Sequence, residues 1–188
     1  MSMLLKKQYK SPFPALNVHW HDEPIAMDTI YLDTPAINLG ATIAQVFVST
    51  ESLVTDVYSM KTNQQFVNML EDQIREQGAP AKLISDCAQV EISNQVKEIL
   101  HAYCITNWQS EPHHQHQNYA ERQIQQLKSL INTIMDCVGI PTNTWFLCLQ
   151  YVTSILNFTY SEKIKCTPLF ALTGSTNDIS MLLYFCFW

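Results

Sequence analysis

Hydrophobic residues along this chain alternate between the two-residue period of strands and the 3.6-residue period of helices, with turn residues at the changeovers. Thr29-Ile30-Tyr31-Leu32-Asp33 predicts a first strand within 25–36; Ala41 to Ser49, after Gly40, predicts a second, and Leu53 to Met60 a third. The two short connections imply an antiparallel meander. Thr62 reads as the cap of a helix running to about Gln77, with Phe66, Val67, Leu70 and Ile74 at helical spacing and Gly78 as its stop. Lys82 to Asp86 predicts a fourth strand and Cys104 to Asn107 a fifth. Between them 93–103 predicts a helix striped by Val96, Ile99, Leu100 and Tyr103.

A longer helix begins near Tyr119. Ala120, Ile124, Leu127, Ile131 and Ile134 make its apolar stripe, and Glu121, Gln125, Lys128 and Asn132 make a polar row on the other side. Pro141 opens a further helix over 142–158, whose Trp145, Leu149, Val152 and Leu156 face a core. The order β-β-β-α-β-α-β-α predicts an α/β fold: a five-stranded mixed sheet flanked by helices. A crossover from strand one through the first long helix to strand four sets those two strands side by side. Residues 1–25, with Pro12, Pro14 and Pro24, read as an extended arm or linker. Residues 26–160 form the core, and 161–188 read as its C-terminal extension, truncated or packed on the core through Met181 to Trp188.

Composition narrows the classes. At 188 residues, with 47% hydrophobic and 15% charged, the chain is long and apolar enough for one substantial core. Its apolar runs fall short of the roughly 20 residues of a membrane span. No secretory leader is visible, so the chain is expected inside the cell, and its six cysteines, with no C-x-x-C pair, read as buried free thiols rather than disulfides or zinc ligands. A formal net charge of −6 opposes simple backbone-driven binding to nucleic acid. Lys6, Lys7, Lys10, Arg122 and Lys128 leave only a sparse basic footprint.

Three carboxylates carry the candidate chemistry. Asp33 and Asp86 end predicted strands and Glu121 opens a predicted helix; 52 residues separate the first two and 34 the last two, so only folding brings them together. Hard divalent cations take such oxygen ligands together with phosphate oxygens and water. Singly, each has a blander reading: a surface Asp at a strand end, a turn residue, a first-turn acid favoured by the helix dipole. Asp28 is the rival first ligand, disfavoured because it falls at the wrong end of the predicted strand.

The contexts Tyr31-Leu32-Asp33-Thr34, Ile84-Ser85-Asp86-Cys87 and Asn118-Tyr119-Ala120-Glu121-Arg122, together with Pro112-His113-His114-Gln115-His116-Gln117 and Thr167-Pro168-Leu169-Phe170, resemble a retroelement integrase core, specifically that of copia-type retrotransposons, over roughly 26–188. The resemblance implies a ribonuclease H-like fold and a polynucleotidyl transferase that trims DNA ends and joins them to target DNA. It implies two Mg²⁺ or Mn²⁺ ions, about 3.5–4 Å apart, held by Asp33, Asp86 and Glu121. Lys128, Gln125, Asn118, His114, His116 and Arg122 would contact DNA. It further implies a homo-oligomer holding two DNA ends, basic flanking domains absent from this chain, no membrane, and work in the nucleus after a cytoplasmic particle stage. Cys87 stands where the family commonly has Asn, and Tyr119 where it often has Gly. The alternatives are a ribonuclease H-like nuclease and a catalytically decayed remnant that only binds nucleic acid or assembles.

Overall fold

A computed structural model describes residues 19–85, 93–109, 119–176 and 178–180. Strands β1 (Trp20–Tyr31), β2 (Ile43–Ser49) and β3 (Thr55–Met60) form the meander; α1 (Phe66–Gln77), β4 (Ala79–Ser85), α2 (Asn94–Ala102) and β5 (Thr106–Gln109) follow, then α3 (Tyr119–Val138), α4 (Trp145–Phe158) and α5 (Pro168–Thr173). The sheet order is β3-β2-β1-β4-β5. The first three strands pair antiparallel, while β4 is parallel to β1 and β5 parallel to β4. The mixed five-stranded sheet and the β1–β4 neighbourhood are therefore as the sequence predicts.

Both faces of the sheet are covered, which is why every residue of β2 is buried. Ile25, Met27, Phe47 and Leu83 point to the side of Phe66, Leu70, Val96 and Ile99 from α1 and α2. Ala26, Ile30, Val46 and Ile84, on the opposite pleat, meet Ile124, Leu127, Trp145 and Leu149 from α3 and α4. Gln45 is fully buried in the middle of β2, and its side-chain carbonyl accepts from the Thr29 hydroxyl at 2.6 Å. At the open edge of β3, the Asn157 amide on α4 replaces a missing strand: it accepts from the Thr55 N–H at 2.9 Å and donates to the Thr55 C=O at 2.8 Å. That fastens α4 to the meander.

Element ends differ from expectation in ways the chemistry explains. β1 starts at Trp20, inside the segment read as an arm, because Pro24 does not end the strand; the β1–β4 register shifts between His21 and Pro24 and pairing then resumes. Its far end is Tyr31, so Asp33 lies beyond the strand in the bend before Pro35. β4 starts at Ala79, whose N–H donates to the His19 carbonyl. β5 starts at Thr106, because Cys104 takes a left-handed turn at φ 56°. Thr62 makes no side-chain cap; a 3₁₀ turn over Asn63–Gln65 precedes α1, and the Gln65 side chain accepts the Lys61 N–H instead. α5 explains the Thr-Pro-Leu-Phe motif as a helix start: the Thr167 hydroxyl accepts the Phe170 N–H, Pro168 fills the first turn and Gly174 closes the end.

The cysteine expectation holds in part. Cys104, Cys137, Cys148 and Cys166 are free, but only Cys148 is buried; Cys137 is on the solvent side of α3 and Cys104 on its turn. No helix among the described residues is long and apolar enough to cross a membrane.

Candidate active site

The site is built where β1 and β4 run parallel. Ala26 stands level with Ile84, so Met27 comes level with Ser85, the last residue of β4. Asp28 is next along β1, and the pleat puts it on the face of Ala26 and Ile30, the face that α3 and α4 cover. It is half-buried, and its carboxylate accepts the Thr29 N–H at 2.7 Å. Asp28 is thus three residues from the C-terminal end of β1, not at the wrong end as the shorter predicted strand suggested. Sequence reasoning had the residue in hand and misjudged the length of its strand.

Asp33 is exposed and two residues past that strand. The loop it begins is held by its neighbours: Leu32 donates to the Thr42 carbonyl, Ala36 to that of Ala41, and the Trp145 indole N–H to that of Thr34 at 2.8 Å. This fastening aims the loop at the start of α4.

Glu121 is in the first turn of α3 and partly exposed. Ile124 and Leu127, three and six residues on, are buried in the cluster that contains Ala26, Ile30 and Val46, so α3 packs across β1 and β2 on the face of the sheet that carries Ala26 and Ile30. Arg122, Gln125, Lys128 and Asn132 are all exposed on the same helix. Asp86, Asn118, His114 and His116 lie outside the described residues, as do Cys87, the rest of the His and Gln segment, the N-terminal lysines and Met181 to Trp188. Among the described residues no group of three or more acidic, His or Cys side chains is close enough to hold a metal.

A second polar cluster occupies the other face, away from α3. Asp56 is largely buried, and that burial, helped by the nearby Glu76 charge, pushes its carboxyl above the usual range against the opposing Gln73 hydrogen bond. Burial likewise raises the Tyr58 phenol, whose hydroxyl donates to Glu76 at 2.7 Å. Glu23 behaves oppositely: burial acts to raise it, but hydrogen bonds from the Ser49 hydroxyl and from Ser52 outweigh that and hold it low.

No protein-family model and no curated protein matches the chain by sequence. By structure it resembles the integrase catalytic core domain of HTLV-2, solved in complex with magnesium in a dimeric form, at a TM-score of 0.61 and 17% identity, covering 82% of this chain and 97% of that one. The catalytic core of BIV integrase gives a TM-score of 0.62 at 17% identity, over 82% of this chain and 95% of that one. This chain has the fold of a retroviral integrase catalytic core. The simian T-cell lymphotropic virus intasome chain aligns with a TM-score of 0.63 at 17% identity over 83% of this chain, which spans 57% of that longer protein. The five-stranded mixed sheet with flanking helices is thus the ribonuclease H-like integrase-core fold.

Proposed function

We propose that this domain is the catalytic core of a copia-type retrotransposon integrase, a polynucleotidyl transferase that processes element DNA ends and joins them to target DNA. The observation that carries the reading is the seating of α3, with Glu121 in its first turn, on the face where β1 presents Asp28 and β4 runs out at Ser85, the residue before Asp86. Asp28 is our choice for the first carboxylate. It follows the residue level with the end of β4, whereas Asp33 is five residues further on and off the strand. Asp28, Asp86 and Glu121 offer only hard oxygen donors, which suits Mg²⁺ or Mn²⁺ and not softer metals. Two such ions, when bound, would supply Lewis-acid stabilisation of the oxygens exchanged at phosphorus.

The chain's own residues then have distinct tasks. The carboxylates fix the ions, and without them their mutual repulsion would keep at least one protonated. Arg122, Gln125 and Lys128, together with Asn118, His114 and His116, would position the DNA backbone, Lys128 by point charge and the amides by hydrogen bonds. Few cations serve an acidic chain, so strong DNA binding falls to a homo-oligomer or to basic domains beyond this core. Integration into chromosomal DNA would locate the work in the nucleus.

The test is Mn²⁺-dependent joining of a labelled DNA end to plasmid. Asp28→Asn, Asp86→Asn and Glu121→Gln are expected to abolish joining with folding intact, while Asp33→Asn keeps it within a few-fold of wild type. Loss in Asp33→Asn with retention in Asp28→Asn would return the role to Asp33. Retention in Glu121→Gln would refute the site.

A further inference from the structure

On the face of the sheet away from α3, α1 and α2 leave a groove of about 370 Å³ between them, within the roughly 300–1,000 Å³ of ligand-sized pockets. Buried Ile99 and the half-buried Val67 and Tyr103 make its apolar floor, with the exposed Ala102 beside them. Glu71 stands exposed on the α1 wall and Glu98 on the α2 wall. No lysine, arginine or histidine lines the groove, and neither glutamate has an ion-pair partner among the described residues. A groove that is apolar at its base and negative at its rim is complemented by a segment with an apolar anchor close to a cation.

The chain carries such a segment within reach: Lys10-Ser11-Pro12-Phe13-Pro14, which lies outside the described residues. The described chain opens at His19, whose carbonyl accepts the Ala79 N–H beside Gly78, the residue that closes α1. The arm therefore joins the sheet at the C-terminal end of α1. From Gly78, Glu71 is seven residues and Val67 eleven residues back along the helix, about 10 and 17 Å at the helical rise. Phe13 is six residues before His19 and Lys10 nine; extended chain of those lengths spans up to about 20 and 30 Å. Both reach the groove.

We propose that residues 10–14 of this chain dock in the α1–α2 groove, with the Phe13 ring on Ile99 and Tyr103 and the Lys10 ammonium between Glu71 and Glu98. Proline fixes its own φ and biases the residue before it to extended backbone, so Pro12-Phe13-Pro14 has little freedom to lose on docking, and aromatic-lined grooves take proline-rich segments in this way. A tethered segment acts at an effective concentration of about millimolar, which favours the chain's own arm over the same residues of a second copy. Docking holds the arm on the face opposite α3, so Lys10 serves the groove and not the polar row of that helix. It needs no DNA and stands whether or not the acid face joins DNA ends.

The experiment uses the full chain without DNA, carrying p-benzoylphenylalanine at position 13. Irradiation at low micromolar concentration is expected to cross-link position 13 within one chain to peptides containing residues 67–71 or 95–103, identified by mass spectrometry. Glu71→Lys combined with Glu98→Lys should lower the yield several-fold, and adding Lys10→Glu should restore most of it; both glutamates are exposed, and circular dichroism checks the fold. In a second measurement, Phe13→Ser in the full chain should speed amide hydrogen exchange over 95–103 several-fold and leave α3 unchanged. A cross-link elsewhere on the chain, no cross-link, a yield indifferent to the charge reversals, or unchanged exchange in α2 overturns the proposal. Cross-links between chains that grow with protein concentration also overturn it, in favour of a second copy as the occupant.

Discussion

Replacing Asn157 with Leu removes both hydrogen bonds that the α4 amide makes to the fully buried Thr55, at 2.9 and 2.8 Å, in a side chain with the same branching and number of heavy atoms. Thr55 opens β3, where both backbone groups point away from β2 and no further strand follows among the described residues. An unsatisfied buried polar group costs about 1–3 kcal/mol. With two groups orphaned and partial access for water at this sheet edge, the expected loss is about 2–4 kcal/mol. For a domain of this length each kcal/mol moves Tm by about 2–4 °C, so the melt should fall by roughly 4–16 °C. Urea unfolding of Asn157→Leu and of Ser154→Ala, which loses only a helix-surface bond to the Gln150 carbonyl, makes the comparison. The reasoning is refuted if Asn157→Leu unfolds within about 0.5 kcal/mol of wild type.

Opposite pH responses are expected on the face away from α3. Burial raises Asp56 in the folded state, so it takes up a proton on folding at mildly acid pH and costs stability once pH exceeds its folded value; Asp56→Asn should stabilise near neutrality, the gain vanishing in acid, as thermal melts across the carboxylate range will show. Hydrogen bonds hold Glu23 low despite its burial, so it contributes stability above its unfolded pKa that is lost as pH falls through the folded value; Glu23→Gln should destabilise near neutrality and converge with wild type in acid. Gly78→Ala should cost well over 1 kcal/mol in urea unfolding, because φ is +103° and the new Cβ would come within 2.7 Å of the His19 carbonyl oxygen, whereas Gly40→Asn, at φ +63° with open space around it, should be nearly neutral.

Much of this architecture is legible in periodicity alone. The stripes of α3 and α4 name Ile124, Leu127, Trp145, Leu149 and Val152, all of which are buried, while Ile131, Ile134 and Leu156 of the same stripes are only partly so. Strand ends are less legible, because they depend on partners far away. Pro24 looks like a break until β4 supplies a bulged parallel neighbour, and Ala79 looks like a turn until its N–H meets His19. That misreading of strand length governs the choice between Asp28 and Asp33, which differ by five residues but lie one on the sheet and one off it. The groove between α1 and α2 was not legible at all. Val67 and Tyr103 are 36 positions apart, and nothing local in either marks a shared cavity.

The pairing of β1 with β4 also bears on how the molecule forms. Ile43 and its partner Tyr31 are 12 positions apart in the chain, but Ala26 and its partner Ile84 are 58 apart. Contacts so distant in sequence carry a large closure entropy before any pairing offsets it, and they slow folding. The meander can form as soon as it leaves the ribosome, while the parallel pair must wait for β4, and the helix bearing Glu121 comes later still. Assembly order therefore delays the clustering of the acids until most of the core already exists to hold them, and substitutions that weaken the β1–β4 pair should slow refolding more than those in the β2–β3 hairpin.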